Sequence, residues 1–163
     1  MIKMKFFFYQ YYWLILLLAF IALICTMFFI KLDMDIKIFA ALFGSLLSLL
    51  FFFQKQRLEE TRLFREIFTE CNKSFDKLNE NLNKIINKGE DESISDDERY
   101  TLYDYFNLCG EEYLYYKKGY IYPSAWKAWH NGMKIYIKSP RVLPIWEKEI
   151  KSDSYYGLKI DIK

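Results

Sequence analysis

The stretch from Phe64 to Ile85, FREIFTECNKSFDKLNENLNKI, decides the fold expected for this 163-residue chain. Its apolar residues recur at alternating steps of four and three positions. They are Phe64, Phe68, Cys71, Phe75, Leu78, Leu82 and Ile85. This spacing places one apolar stripe, called here the seam, on an amphipathic helix predicted over 54–88 and ended by Gly89. Two interpretations stay open: the seam packs against the rest of the same chain, or it is a coiled coil between copies.

Two long uncharged runs precede this helix. Residues 6–30 and 38–53 carry no formal charge, and only seven residues separate them. A helix of 25 residues is about 37 Å long, which is enough to cross a hydrocarbon core of about 30 Å. The second run is shorter than a usual span, but Lys37 and Lys55 at its ends can extend outward. We therefore expect an all-α membrane protein, with a transmembrane helical hairpin over 1–53 followed by a cytoplasmic helical bundle.

The distribution of charge predicts the orientation and the partners. Lys3 and Lys5 precede the first run and four basic residues follow the second, so the positive-inside rule predicts a bacterial inner-membrane protein with both termini cytoplasmic. Membrane lipid is then an expected partner. Beyond residue 53 the 19 basic and 19 acidic residues balance. That neutrality argues against a basic nucleic-acid binder, so no nucleic acid is expected.

Small residues recur every four positions in the second run, at Ala40, Gly44 and Ser48. Such a stripe allows two helices to approach closely. Again two interpretations stay open. The stripe packs on small residues of the chain's own first run, or it forms a contact between subunits, in which case self-association follows.

The second half of the chain is predicted to be a separate helical domain. An acidic linker over 89–95 leads to Ser95 and Glu98, whose spacing fits a capping box that opens a helix over 96–118. Pro123 and Pro144 suit the first turns of two further helices within 96–163. One alternative is that the similar alternating segments 132–138 and 157–163 pair as strands.

The side chains that usually carry chemistry are sparse. His130 is the one histidine, and Cys71 and Cys109 lie 38 positions apart without the close pairing of zinc sites. No glycine-rich phosphate loop occurs, and adjacent Glu111 and Glu112 point about 100° apart on a helix. We expect no enzyme activity, no metal and no cofactor.

Aromatic side chains offer the clearest candidate surface for a protein partner. Trp126 and Trp129 lie on the predicted helix that begins at Pro123, where they provide a surface for an unidentified cytoplasmic protein. Tyrosines and lysines are also mixed along 103–118. Because they follow helical spacing in a neutral domain, core packing explains them better than single-strand nucleic-acid binding.

The segments YFNLCGEEY (105–113), YKKG (116–119) and WKAW (126–129) resemble a set of small bacterial proteins with a short cytoplasmic helical domain behind a membrane hairpin. The overall layout also resembles the two-helix membrane effectors of bacterial antiphage systems, including those that accompany retrons. This resemblance implies a membrane effector or regulator that oligomerises and perturbs the bilayer. The alternative is a membrane-anchored protein-binding module with no activity of its own.

Overall fold

The structure is a computed structural model that describes Tyr11, Leu14, 17–22, Ile24, Cys25 and 36–161. All regular secondary structure in these residues is helical. The elements are α1 (Ile36–Ile86), α2 (Asp96–Lys117), α3 (Pro123–Ile137), α4 (Leu143–Glu149) and a 3₁₀ turn (Ile150–Ser152). The described residues before α1 are helical as well. The chain divides into two compact units, Met1–Arg62 and Leu63–Lys163, and α1 contributes residues to both.

The prediction of an inner-membrane protein with a transmembrane hairpin is wrong for the part of the chain that the structure describes. None of the helices formed there combines the length and the apolar character that a bilayer span requires. The apolar run over 38–53 has 16 residues, about 24 Å of helix, and α1 continues from it directly into charged residues. The first predicted span, 6–30, lies largely outside the described residues.

The 51 residues of α1 form one uninterrupted helix. The chain contains neither proline nor glycine between Gly44 and Gly89, so no residue after Gly44 breaks the backbone hydrogen bonds. Polar side chains along it bond within the helix. Thr61 donates to the Arg57 carbonyl at 2.9 Å, for example. Helix α1 thus includes both the second apolar run and the seam.

Helix α2 begins with the predicted capping box. The backbone N–H of Glu98 donates to Ser95 Oγ at 3.3 Å, and the Ser95 N–H donates to Glu98 Oε2 at 2.9 Å. These two bonds satisfy donors that a helix N-terminus otherwise leaves unpaired. The helix ends at Lys117, and Gly119 follows with a φ of 81° that favours glycine.

Alanine in place of Ser95 is expected to lower the free energy of unfolding by about 1 kcal/mol, because the N-cap acceptor is lost. Urea denaturation of the full chain measures this difference. Ser93→Ala is the matched control, since Ser93 is exposed and precedes the cap. Equal losses at the two serines would contradict the capping role.

The C-terminal third is helical and then irregular. Pro123 lies in the first turn of α3 and Pro144 in the first turn of α4, as expected. Segment 132–137 is part of α3 and 157–161 has no regular structure, so the strand alternative is wrong. The irregular tail still contributes to the core, where Tyr155, Leu158 and Ile160 are buried.

Two buried clusters hold the second unit together. The larger one joins the end of α1 to α2, α3, α4 and the tail, with Leu82, Phe106 and Trp146 among its buried members. The smaller one joins Ile67 and Cys71 of α1 to Leu108 of α2 and to Ile121. Because earlier residues of α1 meet later residues of α2, the two helices run antiparallel across the linker.

Candidate interaction surface

The first part of α1, within the first unit, exposes large apolar side chains to solvent. Seven of them between Ile38 and Leu58 are exposed by 42–70%. They are Ile38, Leu42, Leu47, Leu49, Phe51, Phe52 and Leu58. Together with the small residues Ala40, Gly44 and Ser48, which are also exposed, we call this the arm surface. An exposed apolar area of this size is typical of a binding surface.

The arm surface has a groove between two ridges. At about 100° per residue, Leu47, Phe51 and Leu58 form one ridge of the helix, and Ile38, Leu42, Leu49 and Phe52 form the other. Gly44 and Ser48 lie between them. A Cβ atom built on Gly44 meets no atom of the described residues within 4 Å. The groove is therefore open at Gly44.

The hydroxyl groups along the groove are bonded inside the helix. Ser45 donates to the Ala41 carbonyl and Ser48 to the Gly44 carbonyl, each at 2.8 Å. Another helix can cover the groove without leaving these hydroxyl donors unpaired, which would otherwise cost free energy.

The face of α1 away from the groove is partly covered. Phe43, Leu46, Leu50 and Phe53 are half-buried there. The ring of Phe20 lies 5.6 Å from the ring of Phe43, centroid to centroid. This contact lies on the side of α1 away from Gly44 and Ser48, and both interpretations of the small-residue stripe stay predictions.

The seam over 64–85 lies inside the second unit. Cys71, Leu82 and Ile85 are buried, while Phe64, Phe68, Phe75 and Leu78 are half-buried. The Phe75 ring lies 6.3 Å from Tyr105 of α2 and 5.9 Å from Tyr136 of α3. The structure thus gives the seam partners within the same chain.

The two tryptophans proposed as a partner surface are half-buried and contact neighbouring helices. Trp129 stacks on Phe68 at 5.3 Å and donates its ring N–H to Asn72 Oδ1 at 3.1 Å. Trp126 stacks on Tyr116 at 5.0 Å. These contacts attach α3 to α1 and α2, and binding of a partner at these tryptophans stays a prediction.

A buried carboxyl group lies on α2. Glu112 is only 6% exposed, and the described residues give it no ion pair. Burial, followed by the neighbouring charge of Glu111, raises the pKa of Glu112 to about 8. Burial therefore favours the protonated form of the Glu112 side chain. Sequence reasoning missed this site, because helical periodicity does not show which carboxylate of an adjacent pair is buried.

The two cysteines of the second unit are buried thiols. Burial, with the charge of Glu112 next in size, raises the pKa of Cys71 to about 12 and raises that of Cys109 as well. Neither thiol is a reactive nucleophile in this setting. Within the described part of the chain, His, Cys, Asp and Glu form no group arranged to hold a metal ion.

Arg141 is a second buried polar group that sequence reasoning missed. Its side chain is 2% exposed, and its Nη1 atom donates to the carbonyls of Gly89, at 2.7 Å, and of Glu92. Its Nη2 atom lies 3.7 Å from Glu98 Oε2. The other oxygen of the same carboxylate, Oε1, forms an ion pair with Lys88 at 2.7 Å. Arg141 therefore holds the acidic linker against the start of α2.

The chain was compared with protein families, curated proteins and solved structures. No family model, no curated protein and no solved structure matches the chain. The resemblance carried by 105–113, 116–119 and 126–129 stays a prediction. The described geometry defines the molecule as an α-helical protein with a packed second unit and an exposed apolar arm.

Proposed function

We propose that this chain is a self-associating interaction protein, in which the arm surface of α1 binds the same surface of a second copy. The observation that supports it is the exposure of seven large apolar side chains over 38–58. Such side chains gain about 1.5–3 kcal/mol each when they are fully buried. Association of copies removes them from water.

The area of the arm surface suits this partner. An aromatic side chain contributes about 150–250 Å² when fully exposed, so seven apolar side chains that are about half exposed offer on the order of 700 Å². A stable interface buries about 800 Å² on each partner. The two ridges lie on nearly opposite sides of α1, so one partner helix covers the groove and the near flank of each ridge, which is part of that area.

The shape of the arm surface also suits a second copy. Helices pack with the ridges of one in the grooves of the other, and α1 carries both a groove at Gly44 and a ridge at Leu47 and Phe51. One surface therefore offers both complementary parts. A twofold arrangement uses the same patch on both copies and closes without leaving a free end.

The test is energy transfer between two preparations of the full chain that carry donor and acceptor dyes on C-terminal tags. Leu58→Gln is expected to weaken association by about 10- to 100-fold, because one ridge side chain no longer gains from burial. Ile135→Gln is the matched control. Ile135 on α3 is 67% exposed and Leu58 is 70% exposed, and the two side chains are isomers.

Gly44→Leu provides a second variant. The space around Gly44 is open, so leucine fits each single copy, but it fills the groove that receives the partner's ridge. Association is expected to fall while the helix content of the chain is unchanged. Absence of energy transfer in the unmodified protein, or equal weakening by Leu58→Gln and Ile135→Gln, would contradict the proposal.

A further inference from the structure

We propose that the α1–α2 contact around Cys71 opens when the buried carboxyl group of Glu112 loses its proton. The contact would then act as a pH-responsive device within the second unit. It is independent of the arm surface, since all the residues involved lie in Leu63–Lys163.

The position of Glu112 connects its charge to this contact. Glu112 lies one helical turn after Leu108, which packs with Ile67 and Cys71 in the smaller buried cluster. It is also close enough to Cys71 for its charge to raise the pKa of that thiol. A charge at Glu112 is therefore placed beside the apolar contact between α1 and α2.

The groups around Glu112 do not neutralise a negative charge. On α2 they are Glu111, Cys109 and Tyr105. On α1 they are Cys71 and the nearby Glu70. On α3 the nearest such group is Tyr136, whose ring contacts the ring of Tyr105. None of these described groups is a cation. An ionised Glu112 is then stabilised only by water, which reaches it when the two helices separate.

The direction of the pH effect follows from which form of the α1–α2 contact holds the Glu112 proton more tightly. The closed form binds the proton more tightly, with a pKa of about 8 against an ordinary value of 4.5. The contribution of protonated Glu112 to closure is complete below the ordinary pKa and is lost as the pH rises to about 8. Above that value it changes no further.

The experiment compares alkylation of Cys71 and Cys25 by N-ethylmaleimide in the full chain, quantified by peptide mass. Cys25 is exposed and serves as the internal reference. The ratio of the Cys71 rate to the Cys25 rate is expected to rise about 100-fold between about pH 6 and about pH 9 in the unmodified protein. In Glu112→Gln, which carries no ionisable group at this position, the ratio is expected to stay constant within about twofold.

Glu111→Gln is the matched control, because Glu111 is the exposed neighbour on the same helix. It is expected to keep most of the rise in the ratio, because burial is the larger cause of the raised pKa of Glu112 and the charge of Glu111 is the smaller one. A constant ratio in the unmodified protein overturns the proposal whatever the variants do. The same rise in Glu112→Gln as in the unmodified protein overturns it as well.

Discussion

Truncation of Trp146 to alanine is expected to lower the free energy of unfolding by about 3–5 kcal/mol. Trp146 is 1% exposed, and its ring lies 5.0 Å from Phe106 and 5.4 Å from Tyr155. These contacts join α4 to α2 and to the irregular tail. Alanine removes the indole and leaves a cavity that the rigid surroundings fill only in part. Urea denaturation of the full chain, followed by far-ultraviolet circular dichroism, measures the loss.

Tyr156→Ala is the control for this prediction. Tyr156 is 48% exposed and follows Tyr155 directly in the tail. Its truncation is expected to cost less than about 1 kcal/mol, because no sealed cavity results. Comparable losses at Trp146 and Tyr156 would show that the larger cluster does not depend on the packing of α4.

Methionine in place of Arg141 is expected to lower the free energy of unfolding by about 3–5 kcal/mol. The change leaves the carbonyls of Gly89 and Glu92 without their guanidinium donor and removes the cation that lies 3.7 Å from Glu98 Oε2. Arg141→Lys is expected to recover only part of the loss, since an ammonium group has no second nitrogen to lie near Glu98 Oε2 while the first bonds the two carbonyls. Urea denaturation measures both variants.

Arg99→Met is the matched control, because Arg99 lies on α2 close to the same linker but is exposed. Its substitution is expected to change the free energy of unfolding by no more than about 0.5 kcal/mol. If Arg141→Met is no more costly than Arg99→Met, the linker is not held by the buried guanidinium.

Local patterns in the sequence were sufficient for the helical elements of the second unit. Ser95 and Glu98 are three positions apart, which is the distance over which a capping box forms, so the start of α2 is visible without tertiary information. Pro123 and Pro144 identify helix starts because proline fits the first turn and not the interior. Each of these signals depends only on residues close together in the chain.

Features that depend on contacts between residues far apart in the chain could not be predicted from local patterns. Arg141 bonds to Gly89 and Glu92, about 50 positions earlier, and no local pattern distinguishes it from an exposed arginine. The burial of Tyr155, Leu158 and Ile160 in an irregular tail follows no helical or strand period. Both features depend on how α4 and the tail meet α2, which is a property of the assembled unit.

The arm surface shows why the membrane prediction failed and what part of it remains useful. A run of apolar residues indicates only that the helix surface is poorly solvated by water, and both lipid and protein satisfy that requirement. The run over 38–53 is shorter than a bilayer span. Of the small residues in this run, Gly44 and Ser48 lie in the groove on an exposed face of α1.

Self-association through the arm surface is tested most directly by the molar mass of the unmodified full chain in sedimentation equilibrium. One copy has a mass of 19.9 kDa. With loading concentrations from about 1 to about 100 μM, the apparent mass is expected to approach twice that value, and Gly44→Leu is expected to shift the rise to higher concentration. A mass of 19.9 kDa at every concentration would contradict the account.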